Sequence, residues 1–279
     1  MSIIENMPME EYQARPEISS HDLKLIHRAP FAYRFAKDSG QVEEEDMCLG
    51  SLLHLAVLEP DQLESQVAIL PADAPGRPLA AHLKMREEGR KLTDSALERF
   101  GFWDEWNEKT KGKQNVSAKD LETVQGMHKA LMATPTVRNA ITVEGLREAS
   151  AFFQSEAVDC RMRPDIWADD EILDLKSCGD CSRDAFSREI WKKRYHSSAA
   201  HYMDGSKALG RPAKRFVWIA IETKKPYLCT VHIASDMLLD FGRIENKRDL
   251  WIYKSCTEKG YWPGMRQMEE PIELPNYAA

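Results

Sequence analysis

The sequence predicts an α/β fold in which helices cover both sides of a mixed central β-sheet, and three observations carry that expectation. Short segments between 146 and 177 alternate apolar and polar residues at the period of a strand. Two more strand-like runs, Arg215 to Glu222 and Tyr227 to Ala234, follow a helical interval. Helical periodicity fills most of the remainder. Residues 1–145 therefore read as mainly helical and 146–279 as the sheet with its flanking helices, within one domain spanning 1–279.

The first expected element is a helix capped by Ser19 or Ser20 and running from His21 to about Lys37, with Leu23, Ile26 and Phe31-Ala-Tyr33 on its apolar side and Pro30 as a kink. Residues 38–47, with Glu43-Glu-Glu-Asp46, form an acidic connector to Leu49-Gly-Ser-Leu-Leu-His54-Leu-Ala-Val-Leu-Glu-Pro60, an apolar helix that Pro60 helps to stop. From 61 to 140 the chain turns polar. Helical patches at 79–92 and 117–133, separated by Lys111-Gly-Lys-Gln-Asn115, predict a helical and partly mobile region. After the strands at 146–177 come helices near 183–193 and 196–209, the two later strands, and a long helix from Ser235 to about Thr257. Tyr261-Trp-Pro-Gly264 to Leu274-Pro-Asn-Tyr277 reads as an extended cover, and no internal repeat or low-complexity segment is evident.

With 43% hydrophobic and 30% charged residues, the composition is that of a soluble protein with a sizeable core. No apolar run approaches the roughly 18 to 20 residues of a membrane span. The start, Met-Ser-Ile-Ile-Glu-Asn, lacks the basic flank and cleavage pattern of a signal peptide, so a cytoplasmic protein is expected. Six cysteines in a chain of this length do not make a disulfide scaffold, and Cys178-Gly-Asp-Cys181 is a lone C-x-x-C. A net charge of −7 fits poorly with binding to phosphates. Its distribution eases the conflict: acidic residues crowd the N-terminal part, whereas Lys192-Lys-Arg194, Lys214-Arg215, Arg243 and Lys247-Arg248 follow the strands. Such clusters are either solvated helix faces or the lining of a channel in a protein that encloses a polyanion.

The strongest chemical signal is Arg161-Met-Arg-Pro-Asp165-Ile-Trp-Ala-Asp-Asp-Glu-Ile-Leu-Asp174-Leu-Lys176, in which an Asp-Asp-Glu turn separates two segments patterned like a hairpin. Period two puts Ile172, Asp174 and Lys176 on one face of the second segment and Leu173 and Leu175 on the other. Two carboxylates converging at a sheet edge supply hard oxygen ligands for Mg²⁺, and an ammonium beside them can orient an attacking water or offset negative charge. The alternative is a solvated hairpin with Asp174 and Lys176 as an exposed pair worth about 0 to 1 kcal/mol. Upstream, Glu148 opens the strand-like run Glu-Ala-Ser-Ala-Phe-Phe and delivers a third carboxylate. His54, in its apolar helix, is by itself either a satisfied core residue or a ligand.

The order His54, Glu148, Asp165, Asp174-x-Lys176, then Arg194-Tyr-His-Ser-Ser-Ala-Ala-His-Tyr202, resembles the nuclease domain of RecE-type exonucleases (exonuclease VIII) within the PD-(D/E)XK superfamily. Pro16-Glu-Ile-Ser-Ser-His-Asp-Leu23 is similar to the opening of that domain and Leu49 to Pro60 to its histidine helix. Cys160-Arg-Met-Arg-Pro-Asp165, Arg194-Tyr-His196 and Trp262-Pro263 also fit, so the likeness spans nearly the whole chain, with weaker stretches at about 70–140 and 236–260.

The resemblance implies a PD-(D/E)XK core in which His54, Asp165 and Asp174 contact metal, Lys176 is the catalytic lysine, and Glu148 supports the site. It implies DNA contacts from Lys192, Lys193, Arg194, His196, Ser198 and Tyr202. One departure stands out. Relatives carry glutamine in a Q-x-x-x-Y motif whose tyrosine matches Tyr202, and here Ser198 takes the glutamine position. Serine is shorter, so whatever that glutamine reaches must be met by water, His196, His201 or another group. The cysteine group of iron–sulfur nucleases in the superfamily is not reproduced by Cys229 and Cys256.

The expected activity is Mg²⁺-dependent digestion of double-stranded DNA from its ends, with Mn²⁺ substituting. The resemblance adds 5′-to-3′ direction, 3′ overhangs, a tetrameric ring, a single-strand annealing partner of the RecT type, and a phage or prophage origin. No G-x-x-x-x-G-K-[ST] loop is present, consistent with an ATP-independent reaction. Two other classes stay open: a structure-selective or site-specific endonuclease on the same fold, and a catalytically impaired DNA-end-binding protein, the latter motivated by Ser198.

Overall fold

The computed structural model describes residues 1–39 and 48–265. The chain begins with β1 (Ser2–Ile4), α1 (Met9–Ala14), α2 (Ser20–Arg28) and α3 (Pro30–Asp38). Next come α4 (Leu49–Leu58), the single turn α5 (Leu63–Gln66), β2 (Val67–Leu70), α6 (Ala80–Glu87), α7 (Asp94–Lys109), β3 (Gln114–Ser117), α8 (Ala118–Ala133) and α9 (Pro135–Ile141). The remainder holds β4 (Leu146–Arg147), β5 (Ser150–Ser155), β6 (Val158–Met162), β7 (Ile166–Trp167), β8 (Glu171–Cys178), α10 (Arg183–Lys192), α11 (Tyr195–Ala208), β9 (Arg215–Glu222), β10 (Cys229–Ile233) and α12 (Asp236–Lys259).

The α/β expectation holds: the central sheet has the order β10-β9-β8-β7-β4 and mixes both pairings. β7 and β8 form the antiparallel hairpin expected around the acidic turn, with Ile166 opposite Leu173 and Trp167 opposite Ile172. β8 and β9 run parallel, setting Asp174 beside Trp218 and Lys176 beside Ala220. Parallel neighbours need a crossover, which α10 and α11 supply. A three-stranded antiparallel sheet, β1-β5-β6, and the parallel pair β2-β3 complete the strands.

Period two along β8 and β9 builds two cores, one on each face. Ile172, Cys178, Phe216 and Trp218 pack with Phe186, Ile190, Ala199, Leu239 and Leu250 of α10, α11 and α12. Leu173, Leu175, Val217 and Ile219 pack with Leu52, Leu53, Val124 and Met127 of α4 and α8. Asp174 and Lys176 therefore share the face covered by α10 and α11. α12 crosses α11 closely because of Gly242, where an added Cβ would lie 2.5 Å from the His196 carbonyl oxygen.

Several local readings change. The expected kinked helix is two helices, because Ala29 precedes proline and adopts an extended conformation (φ −170°, ψ 131°), ending α2 and letting Pro30 open α3. Ser19 is the cap, in a reciprocal box with Asp22. The middle region adds α7, α9 and the β2-β3 pair to the two expected helices, and β1 and α1 precede the first expected element. β10 starts at Cys229, since Tyr227 takes a left-handed turn (φ 62°). Of the expected C-terminal cover, Trp262 lies against Tyr33, with ring centroids 5.3 Å apart. The rest of that segment from 266 on, and the acidic run Glu43 to Asp46, lie outside the described residues. Among the described residues no helix is long and apolar enough to cross a membrane.

Candidate active site

The site is built where the β7 ladder gives out. Pairing stops at Ile166 and Leu173, so among the described residues the backbone of Leu175 has no strand partner on that side. Two side chains replace the strand. Asp165 Oδ2 accepts from the Leu175 N–H at 2.5 Å, and the Leu175 carbonyl accepts from His54 Nε2 at 2.8 Å. A carbonyl can only accept, so this bond fixes the ring proton on Nε2 and turns Nδ1 toward the acids. His54 Nδ1 lies 3.5 Å from Asp165 Oδ2 and 3.8 Å from Glu148 Oε1.

Glu148 reaches this point from the joint between β4 and β5, where its backbone is left-handed (φ 48°) and its N–H donates to the Asp165 carbonyl at 3.1 Å. That conformation costs a non-glycine residue roughly 1 to 2 kcal/mol. Buried Arg163 holds the carboxylate: its Nε donates to Glu148 Oε2 at 3.0 Å while its terminal nitrogen donates to the Met7 carbonyl at 2.8 Å and to Ser150 Oγ at 3.1 Å. Donor atoms of His54, Glu148 and Asp165 all lie within 4.8 Å of one another, close enough to share one cation. Asp174 is placed differently, with its Oδ2 2.7 Å from Lys176 Nζ. The sequence reading makes Asp174 a ligand and Glu148 a support. In the structure Glu148 stands in the convergent group and Asp174 pairs with the lysine beside it.

Burial raises the pKa of Asp165 and Asp174 adds to the rise, while His54 opposes it. Burial opposes charge on His54, but Asp165 and Glu148 outweigh it and lift its pKa to about 9. Burial likewise opposes the Lys176 ammonium, and Asp174 and Asp165 overcome that and raise its pKa above the ordinary lysine range. Lys176 is thus a cation at neutral pH and suited to holding charge or orienting water, not to taking up a proton. The negative field that draws a proton to His54 Nδ1 is the field a divalent cation answers, and one imidazole nitrogen with two carboxylates is a donor set that fits such an ion.

α11 carries the remaining expected residues, and the structure divides them. Tyr202 is in the site's field: burial first, then Tyr12, Asp174 and Asp165, push its phenol well above its ordinary pKa. Ser198 Oγ is buried and has no hydrogen-bond partner among the described residues. His196 is in the interior, with Nε2 2.8 Å from Glu245 and Nδ1 3.4 Å from the Ile190 carbonyl, and His201 Nε2 donates to the Arg161 carbonyl at 2.9 Å. Both histidines thus already have hydrogen-bond partners inside the fold. Arg194 turns inward to Glu245 and Asp249, both at 3.0 Å, because α12 presents those acids to it. Lys192 and Lys193 line a groove of about 380 Å³ with Ser177, Gly179, Arg188 and Thr223. Burial pushes the Cys178 and Cys181 thiols up to about 12 and about 11, and neither joins a metal-ligating group among the described residues. Sequence reasoning gives no role to Arg163, which holds Glu148. Arg163 was within reach, as it lies two residues before Asp165.

No functionally curated protein matches the sequence. Among solved structures, one from Eubacterium rectale, provisionally described as an exonuclease, superposes with a TM-score of 0.59 at 10% identity, covering 96% of each chain. An alkaline exonuclease from Laribacter hongkongensis (14% identity, 67% of this chain and 93% of that one) gives 0.31. A phage-related exonuclease from Haemophilus somnus 129PT (14%, 67% and 92%) gives 0.32. At these identities the first of them shows a shared fold. The sequence profile described as PDDEXK-like domain of unknown function (DUF3799) matches residues 19–270, nearly the whole chain. With its sheet-edge acids and lysine arranged as above, the chain belongs to this PDDEXK-like family.

Proposed function

We propose that this protein is a divalent-metal-dependent nuclease that digests double-stranded DNA from its ends, using Mg²⁺ or Mn²⁺ and no ATP. The observation that carries the reading is the meeting of His54, Glu148 and Asp165 beside the Asp174–Lys176 pair. A divalent cation held there would lower the pKa of a bound water and offset charge developing on a phosphate. Asp165, Glu148 and His54 Nδ1 are the groups to hold it, with Asp174 next to them. Lys176, fixed as an ammonium, positions the nucleophile or stabilises the phosphate oxygens, while Arg163 keeps Glu148 aimed inward.

Exonuclease rather than endonuclease action is favoured by the RecE-like motif order and by the exonuclease description of the Eubacterium rectale structure. The same resemblance supports 5′-to-3′ direction, 3′ overhangs, a tetrameric ring and an annealing partner of the RecT type, within a phage or prophage recombination system. Linear and closed-circular duplexes, incubated with and without Mg²⁺, test the reading. Linear DNA should shorten only with the ion and circles should survive. Nicked or linearised circles would replace it with an endonuclease, and metal-dependent binding with no product would replace it with an end-binding protein.

A further inference from the structure

Three lysine ammoniums gather round one ring. Tyr195, the first residue of α11, has Lys24 Nζ 5.4 Å, Lys176 Nζ 5.5 Å and Lys193 Nζ 5.8 Å from its centroid. They come from different parts of the chain: α2, β8 and the turn before α11. Two of them have a carboxylate, Lys176 on Asp174 at 2.7 Å and Lys193 on Glu189 at 2.5 Å. Lys24 has none at ion-pair distance among the described residues; its one close partner is the Tyr195 ring.

An ammonium half withdrawn from water, with like charges across one ring and no counter-ion of its own, is unfavourable. The ring face returns part of that cost, since cation–π attraction is a modest term. Burial first and Lys176 second push the Lys24 pKa down to about 8 against the pull of Asp174, which is the same unfavourable field seen from another side. An oxyanion seated among the ammoniums would relieve it. Beyond the ring, the groove beside Lys193 is lined by Arg188 and Lys192 as well, with Glu189 the one acid among them, so its charge is net positive. A polyanion whose reacting end lay at the metal-site acids would have its next charges over this surface.

We infer that Lys24, with Lys176 and Lys193 around the Tyr195 ring, holds a phosphate group of the nucleic acid next to the metal-site carboxylates. The inference rests on the nuclease reading and adds to it a binding residue from α2. The phosphate is either a terminal monoester or an internal phosphodiester, and both present the same charged oxygens to Lys24.

The test is duplex binding, read by fluorescence anisotropy across a salt series with Ca²⁺ in place of Mg²⁺, for 5′-phosphorylated and 5′-hydroxyl oligonucleotides. Lys24→Met keeps the aliphatic stem against Tyr195 and removes the charge. It should make the slope of log affinity against log salt shallower by about 0.9, the value of one phosphate neutralised, and Lys24→Arg should restore it. Loss confined to phosphorylated ends identifies the terminal group, and loss on both identifies an internal one. If wild type binds and Lys24→Met shows an unchanged slope on both duplexes, Lys24 is a packing residue and the inference is overturned while the nuclease reading stands. Wild-type protein that binds neither duplex overturns the nuclease reading and this inference with it.

Discussion

His54 and Asp165 are anchored to one residue of the sheet edge: His54 Nε2 donates to the Leu175 carbonyl at 2.8 Å, and Asp165 Oδ2 accepts from the Leu175 N–H at 2.5 Å. The strand that bears Asp174 and Lys176 therefore also fixes the imidazole tautomer and the carboxylate facing it. Position in the sheet, set by the two cores on either face of β8, becomes position in the site.

Glu148 depends on Arg163 in the same way. Both are buried, and removing the guanidinium leaves a buried carboxylate without its cation, a change that typically costs about 3 to 5 kcal/mol. Arg163→Met should destabilise the fold by about that much in urea unfolding. It should also weaken divalent-metal binding by roughly 10- to 100-fold in calorimetry. Adding Glu148→Gln should recover much of the stability and none of the metal affinity. Intact metal binding in the Arg163 variant would make that residue purely structural.

Lys176→Met separates chemistry from metal binding. The lysine is a cation close to the acids, so its removal should abolish most cleavage and leave metal affinity unchanged or tighter, with Asp174 freed from its 2.7 Å ion pair. A calorimetric titration showing lost metal binding would assign the lysine to holding the fold.

Ser198 predicts a gain. Among the described residues its buried Oγ has no hydrogen-bond partner, while His196 bonds Glu245 and His201 bonds the Arg161 carbonyl. Ser198→Gln should raise the cleavage rate or tighten DNA binding by roughly 1.5 to 3 kcal/mol, the range of a hydrogen bond to a charged group. His196→Ala should lower the thermal midpoint without changing the salt dependence of DNA affinity. A slower Ser198→Gln enzyme would mean that the pocket is shaped for serine.

His201 sets a pH dependence of stability. Burial holds its pKa below the ordinary 6.5, although the bond to the Arg161 carbonyl works the other way. As pH falls through 6.5 the unfolded chain takes up a proton that the folded chain refuses, so stability declines with acidity from that point to the folded pKa. The decline is at most about 1.4 kcal/mol per pH unit. Urea unfolding of wild type and His201→Gln at about pH 7.5 and about pH 5.5 should show the smaller acid loss in the variant. Equal losses would place the acid sensitivity elsewhere.

What could be read from the sequence was local and periodic. The acidic turn, the alternation on β8 and the proline-free apolar run of α4 needed no distant partner, so the hairpin, the face bearing Asp174 and Lys176, and the His54 helix were legible. What escaped depends on distant residues. β2 and β3 are stabilised by each other, Val67 beside Gln114, and neither four-residue run declares the other. Arg194 and His196 look like surface residues until α12 brings Glu245 and Asp249 to them. Leu175 anchors the site through its backbone, which no side chain in the sequence encodes, and the left-handed joint at Glu148 follows from how β4 and β5 diverge.

Nucleotide release from linear duplex DNA in Mg²⁺, compared between wild type and Asp165→Ala, decides whether the sheet-edge acids form a metal-dependent nuclease centre. Asp165 is the residue that both faces His54 and caps Leu175. Wild type should release nucleotides in a reaction that EDTA abolishes, and the variant should be slower by at least about a hundredfold with its secondary structure retained. Release unaffected by EDTA, or a variant as active as wild type, would contradict it.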